Sequence, residues 1–331
     1  MRGASDMGRT STVYGPVLSW RLGRSLGIDV LPPPKTCTFD CVYCQLGRTV
    51  RKVSGLVQAK VGKKEVLEDL EKALARLNPS SIDYVTFSGS GEPTLIPELG
   101  EMIEGVRCLV EKPIAVLTNS SLVNLVEVRR NLVTADLVVA KLDAPDQPTL
   151  EAINRPAEGI LHENIVEGLM RLRNEVRGKL ALQIMFFESE VGGLTNANEE
   201  TIGNLTRLTE LIEPDEVQIN TPTRPPSEGY VLALRPNLIQ AIAERFSASA
   251  RQSKVVSRYD TKIGDTPKRI GHEDVESEVL GLIERRPCRV PDIAASLNLS
   301  TEVVMEILNN LKIQGRVSEI EYAGEEYYKS P

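Results

Sequence analysis

The sequence predicts an α/β fold in two parts: six strand and helix pairs building one parallel sheet, then a small α+β unit. Three observations carry this. From about residue 14 to 247, short apolar runs alternate with segments of helical period, and right-handed crossovers curl such a sheet into an open or closed barrel. Beyond residue 272 the pattern changes to three short helices and a hairpin, the order of a winged helix. Between the two, Arg251 to Gly271 carries six Lys or Arg against Asp260 and Asp265. It reads as an exposed connection, with a phosphate contact as the alternative. The expected domains are a barrel over 1–250, a basic linker over 251–272 and a winged-helix domain over 273–331.

Residues 14–31 are expected as a leading loop feeding a first strand, which Pro32, Pro33 and Pro34 end. A cysteine-rich loop follows at the C-terminal end of that strand, where parallel barrels keep their chemistry. From Lys63 to Asn78, Val66, Leu67, Leu70, Ala73, Leu74 and Leu77 recur at three- and four-residue steps until Pro79, which predicts an amphipathic helix. Further strands are expected near 82–88, then at 114–118, 136–142, 180–187 and 216–220. Helices are expected near 97–111, 122–132, 159–176, 199–212 and 236–247, the last opened by Pro236. In the C-terminal part, residues 275–286 form a first helix and Pro291 starts a second. Ser300 caps a third, with Val303, Val304, Ile307, Leu308 and Leu311 as its apolar face. Residues 316–320 and 325–329 flank Ala323-Gly324 as a hairpin.

Composition narrows the function. With 331 residues and 41% hydrophobic content, the chain can bury a large core and carry a small appendage. No apolar run approaches the ~20 residues of a membrane span. Arg2, Asp6 and Arg9 deny the N-terminus the apolar core of a signal peptide, so a cytoplasmic protein is expected. Outside the cysteine loop only Cys108 and Cys288 remain, an inventory that suits a reducing compartment; both are expected as buried packing residues. The net charge of −7 argues against coating nucleic acid through a general positive field. Residues 273–331 hold 12 acids and 6 bases, so most of the excess sits there.

The organising motif is Cys37-x3-Cys41-x2-Cys44, three of the five cysteines within eight positions. Such thiolates can converge on one metal centre, and an iron–sulfur cluster or a zinc ion usually takes four ligands. One position is left for an outside ligand. A structural zinc knuckle is the competing reading, and it lacks a nearby fourth ligand: the histidines, His162 and His272, stand far from the loop in sequence. Phe87-Ser88-Gly89-Ser90-Gly91-Glu92-Pro93-Thr94 falls at the end of the second strand. Its glycines permit close backbone approach to a ligand, and Glu92 supplies an acceptor for a cationic amine.

Later strand ends add candidates. Thr118, Asn119 and Ser120 have groups that bond a ribose or carboxylate, or simply make a turn. Lys141 and Asp143 offer a cation and an acceptor, or form a structural ion pair. Gln183, Gln218 and Asn220 are polar within apolar strands; they face a lumen and bond ligand, or satisfy neighbouring backbone. Arg155 and Arg224 sit in proline-bounded loops, suited to anion recognition or to a solvated or paired role.

The cysteine spacing with Tyr43 before the last cysteine, followed by Gly89-Ser90-Gly91-Glu92-Pro93 after the next strand, resembles the radical S-adenosylmethionine enzymes over roughly residues 14–247. The resemblance implies a partial (β/α)6 TIM-type barrel with a [4Fe-4S] cluster on Cys37, Cys41 and Cys44. S-adenosylmethionine would bind the fourth iron through its amine and carboxylate. Reductive cleavage would give a 5'-deoxyadenosyl radical that takes a substrate hydrogen, fed by an electron donor such as flavodoxin or ferredoxin. By the same likeness Tyr43 lies near the adenine, while Gly89, Ser90, Gly91 and Glu92 receive the methionyl amine. This chain has Gly-Ser-Gly-Glu where many relatives have Gly-Gly-Glu. Tyr14-Gly-Pro-Val, Arg21-Leu-Gly, Ser25-Leu-Gly, Lys141-Leu-Asp and Asn154-Arg-Pro resemble the group related to the tRNA wyosine-pathway synthase. That synthase is expected to carry a second cluster on added N-terminal cysteines, and none stands before Cys37. The cofactor chemistry carries over, and the missing cysteines speak against wyosine formation.

Winged helices often place their third helix in the DNA major groove. Here that helix offers Glu302, Glu306, Asn309 and Asn310 with Lys312 as its cation, which favours a protein, peptide or subunit over duplex DNA. The reading is a radical enzyme acting on a tRNA base or a protein side chain. A glycyl-radical-enzyme activase, an iron–sulfur redox-sensing regulator and a zinc-stabilised scaffold stand as alternatives.

Overall fold

The computed structural model describes residues 10–250, 252–257, 271 and 274–331. Its frame is one eight-stranded sheet in the order β1-β2-β5-β6-β7-β8-β10-β12, curled into a half barrel. In chain order the strands and helices are β1 (Val13–Ser19), β2 (Gly23–Ile28), β3 (Thr36–Cys37), β4 (Arg51–Lys52), α1 (Lys63–Leu74), β5 (Tyr84–Phe87), α2 (Leu99–Arg107), β6 (Ile114–Thr118), α3 (Val126–Leu132) and β7 (Leu137–Lys141). Then come α4 (Gln147–Ile153), α5 (His162–Glu175), β8 (Lys179–Met185), β9 (Phe187–Ser189), α6 (Glu199–Ile212), β10 (Glu216–Asn220), β11 (Val231–Ala233), α7 (Pro236–Ser249) and β12 (Lys254–Ser257). The C-terminal part holds α8 (Val275–Ile283), α9 (Val290–Leu297), α10 (Thr301–Ile313) and the hairpin β13 (Ser318–Tyr322) and β14 (Glu325–Lys329).

From β2 to β12 every sheet neighbour is parallel. The central strands, such as Ile114-Ala-Val-Leu-Thr118, are apolar at nearly every position because both faces are covered. Alternation divides them. Val116, Val138, Leu182 and Ile219 point into the main core shared with the helices. Ala115, Leu137, Val139 and Ala181 form a separate small cluster with Leu22 on the opposite, inner face. One step further along that inner face, Lys141, Gln183 and Gln218 stand in register on β7, β8 and β10. The lumen is thus apolar at its floor and polar at the strand C-termini.

The expected alternation is present, with four differences. Residues 13–19 are not a leading loop but an edge strand antiparallel to β2. Gly15 and Pro16 read as turn residues in the sequence. They occupy a register shift between Tyr14 and Val17, the kind of edge position a sheet tolerates. Second, the parallel sheet continues past residue 250: β12, inside the expected basic linker, pairs with β10 as a seventh parallel strand. Its Lys254-Val-Val-Ser257 is short and charged at one end, so the linker composition masks it. Residues 251 and 258–270 of the basic stretch, with His272 and the N-terminal Arg2, Asp6 and Arg9, lie outside the described residues. Third, helix α4 precedes Arg155. Fourth, Cys108 is exposed at the end of α2, whereas Cys288 is buried as expected.

The C-terminal helices and hairpin enclose their own core, with Val279, Leu282, Ile293, Leu297, Val304 and Leu308 at its centre. Ser300 caps α10 by accepting from Val303 N–H, and Val303 itself is 41% exposed while Val304, Leu308 and Leu311 are buried. Ala323 and Gly324 turn the hairpin with φ of 54° and 77°. Tyr14 and Val17 of β1 pack into this core. On the other side of the half barrel, Tyr327 and Tyr322 donate to the carbonyls of Thr223 (3.0 Å) and Pro222 (3.5 Å) in the loop after β10. The C-terminal part therefore bridges the β1 edge and the β10 loop.

Candidate active site

The cysteine loop is held from two sides. Thr36 N–H donates to Ser90 O (3.3 Å) and Thr36 O accepts from Glu92 N–H (3.2 Å), tying β3 to the glycine-rich turn. Asp40 and Val42 N–H donate to Asn154 and Ile153 carbonyls at 2.9 Å, and Thr38 O accepts from Ala157 N–H at 2.8 Å, tying the loop to the end of α4. Each sulfur then receives its own nitrogen donor: Asn119 Nδ2 to Cys37 (3.4 Å), Asn154 Nδ2 to Cys41 (3.3 Å) and Lys35 Nζ to Cys44 (3.1 Å). Such donors stabilise thiolate and tune a bound cluster. Burial pushes the thiols up, Cys37 to about 12 and Cys41 to about 11. Among the described residues, no three Cys, His, Asp or Glu side chains are gathered closely enough to hold one metal ion.

Gly91 is required by this contact. A Cβ there would meet Thr36 O at 1.9 Å, so only glycine lets the turn run beside β3. Glu92 also has a structural part. Its carboxylate is buried and accepts from Thr94 N–H (3.1 Å), Thr94 Oγ1 (2.6 Å), Thr118 Oγ1 (2.7 Å) and Asn119 N–H (2.6 Å). Burial pushes its carboxyl up against the opposing pull of those donors. Three of the donors meet Oε1 and one meets Oε2, so Glu92 joins the β5 and β6 loops and keeps an acceptor site on Oε2. Ser90, the extra residue of the turn, donates from N (3.1 Å) and Oγ (2.7 Å) to Asp29.

The remaining candidates divide. Tyr43, Lys141 and Asp143 come together. The Tyr43 hydroxyl donates to Asp143, Lys141 Nζ lies 3.4 Å from the same carboxylate and 4.5 Å from the Tyr43 ring centroid. Asn154 Nδ2 bonds Tyr43 Oη (2.8 Å), which links this cluster to Cys41. Lys141 and Asp143 are thus an ion pair, placed against the cysteine loop. Thr118 and Asn119 are engaged by Glu92. Ser120 has φ of 67°, and among the described residues its Oγ is buried with no partner, as is Asn154 Oδ1. Gln183 Nε2 donates to Gln218 Oε1 (3.2 Å), and Gln218 to Glu216 (2.8 Å), a ladder on the inner face. Asn220 Oδ1 accepts from Thr221 N–H at 2.9 Å. Arg155 is paired with Glu228 (2.5 Å) and Tyr230 Oη (2.9 Å), whereas Arg224 has no such partner among the described residues. His162 begins α5, its Nε2 2.9 Å from Ala144 O.

Lys35, Asp29 and Asn154 were not picked out individually from sequence. Asn154 belongs to the Asn-Arg-Pro triplet, a signal that was available. Lys35 and Asp29 carried none, because their partners are set by tertiary contact.

A curled parallel sheet with a three-cysteine loop after its first parallel strand defines a class, and the Radical SAM superfamily model matches residues 31–193. Residues 31–193, about half of the chain, thus carry the likeness to that superfamily. The chain belongs to the UPF0026 family: it is 32% identical to the UPF0026 protein MJ1312 of Methanocaldococcus jannaschii, over 95% of this chain and 94% of that protein. It is also 34% identical over 94% of its length to a Brachyspira hyodysenteriae protein named GTPase Obg, of which it spans 44%. Among solved structures, a radical SAM methyltransferase from Sphaerobacter thermophilus aligns at 16% identity and a TM-score of 0.48, over 71% of this chain and 65% of that one. No helix of the described residues is long and apolar enough to cross a membrane.

Proposed function

We propose that the chain binds a [4Fe-4S] cluster on Cys37, Cys41 and Cys44 and S-adenosylmethionine in the polar end of the lumen, and modifies a tRNA base or a protein side chain. When bound, these groups supply one-electron cleavage of the sulfonium and hydrogen abstraction from substrate. The observation that carries the reading is the separate nitrogen donor on each sulfur, from Asn119, Asn154 and Lys35. Three half-buried thiols in a plain turn have no need of it.

The residues divide the work. The Asn154 and Lys141–Asp143 network fixes Tyr43 beside Cys41. Gly89, Ser90, Gly91 and Glu92 receive the methionyl amine, and Glu92 also keeps that turn in place through Thr118 and Asn119. Ser120 Oγ, Gln183, Gln218 and Asn220 supply polar atoms for the nucleoside. The C-terminal part acts as a winged helix whose acidic α10 docks a protein or peptide in preference to duplex DNA, with reducing equivalents from flavodoxin or ferredoxin. Kinship with the wyosine-pathway group extends to the cofactor chemistry, and the cytoplasm suits an oxygen-sensitive centre.

Anaerobic reconstitution followed by dithionite and S-adenosylmethionine tests this. The expected result is 5'-deoxyadenosine and methionine, lost in Cys37→Ala, Cys41→Ala and Cys44→Ala and kept in Cys108→Ala. A fully loaded protein yielding neither product overturns the reading.

A further inference from the structure

Arg285 and Arg286 follow α8 and diverge. Arg285 turns to Asp29, whereas Arg286 comes beside Arg224 from the loop after β10. The Nε–H of both Arg224 and Arg286 is buried without a hydrogen-bond partner, and neither guanidinium forms an ion pair among the described residues. Both side chains are half-buried, so the pair is reachable. Asp292, whose charge acts on Arg224, is itself held by Arg289 through Nε (3.2 Å) and an Nη (3.1 Å). Burial, with Arg286 next to it, brings Arg224 down to about 10.

Two like charges at close quarters repel, and unpaired buried donors cost more. Their backbones are nonetheless pinned in place. Thr223 O accepts from Tyr327 at 3.0 Å, and Cys288 exchanges both backbone hydrogen bonds with Tyr328, at 2.9 and 2.8 Å. The segments that carry the two arginines are therefore held at β14.

We propose that Arg224 and Arg286 form a phosphate-binding site that anchors a substrate carrying a terminal phosphate monoester. A monoester is close to a dianion at neutral pH, which matches two guanidiniums, and its tetrahedral oxygens take two planar forks. An internal phosphodiester or a carboxylate carries a single charge and leaves one guanidinium uncompensated. The location suits an anchor. Ser227, three residues after Arg224, donates to the carbonyls of Cys41 (2.8 Å) and Val42 (3.0 Å). Three residues span at most ~11 Å, so the loop that carries Arg224 runs beside the cysteine loop. The substrate role rests on the radical reading above; binding of phosphate does not.

The test is the melting temperature of the full-length protein in inorganic phosphate, dimethyl phosphate, acetate or sodium chloride at matched ionic strength. Phosphate is expected to raise it saturably by about 3–5 °C. Arg224→Met and Arg286→Met should each abolish that rise without lowering the starting value, while exposed Arg130→Met keeps it. Arg286→Lys, which retains charge without the fork, should bind about tenfold more weakly. A rise no larger than with chloride, or one surviving both Met variants, overturns the site. An equal rise with acetate or dimethyl phosphate overturns the dianion assignment. Because the readout is not turnover, failure of the radical chemistry and failure of this site are separately visible.

Discussion

Arg285 Nε lies 3.0 Å from Asp29 Oδ2, with both side chains buried, and the same oxygen accepts from Ser90 N–H and Oγ. Arg285 also donates to Ser11 O (2.7 Å), and its guanidinium carbon sits 5.0 Å from the Tyr14 ring centroid. One ion pair thus connects the C-terminal helices to the glycine-rich turn of the barrel.

Removing one partner of such a pair leaves a buried charge unmatched. Arg285→Ala is expected to lower stability by about 3–5 kcal/mol. Chemical denaturation measures it, with Asp29→Asn and the double variant completing a cycle. Additive single effects would show that the two residues do not act together.

Asn154 Nδ2 touches Cys41 Sγ (3.3 Å), Tyr43 Oη (2.8 Å) and Asp143 Oδ2 (3.2 Å). Asn154→Ala keeps all three cysteines and takes away one sulfur's donor. Production of 5'-deoxyadenosine should fall about 10- to 100-fold, with a more negative cluster potential by redox titration. Unchanged potential and rate would mean that the donor has no tuning role.

His162 predicts a pH effect. Burial lowers its pKa, opposed by the bond to Ala144 O. The unfolded chain therefore binds the proton more readily than the folded one. The neutral imidazole's contribution is full above the unfolded value of ~6.5 and declines as pH falls below it. His162→Gln should flatten the fall in unfolding free energy between about pH 7 and 5. Parallel curves for the two proteins would refute the assignment.

Several elements were legible in the sequence for a common reason. The spacing Cys37-Cys41-Cys44, the turn at 89–92 and the inner-face row Lys141, Gln183 and Gln218 are all carried by near neighbours in the chain or by strand period. What escaped depended on partners far away. β1 is a strand because β2 pairs with it across a bulge, and β12 because β10 is already in place. The donors that meet Glu92 come from the segments after β5 and β6, contacts that its residue type alone does not announce.

By itself the sequence determined the alternating barrel elements, the three sulfurs and the composition of the C-terminal helices, since periodicity and short spacing are local properties. Only the tertiary structure decided which nitrogen faces each sulfur, that Arg285 reaches Asp29, and that Arg224 and Arg286 come under each other's charge. Those outcomes depend on strand register and on how the C-terminal core seats against β1, and contacts over such separations leave no local pattern.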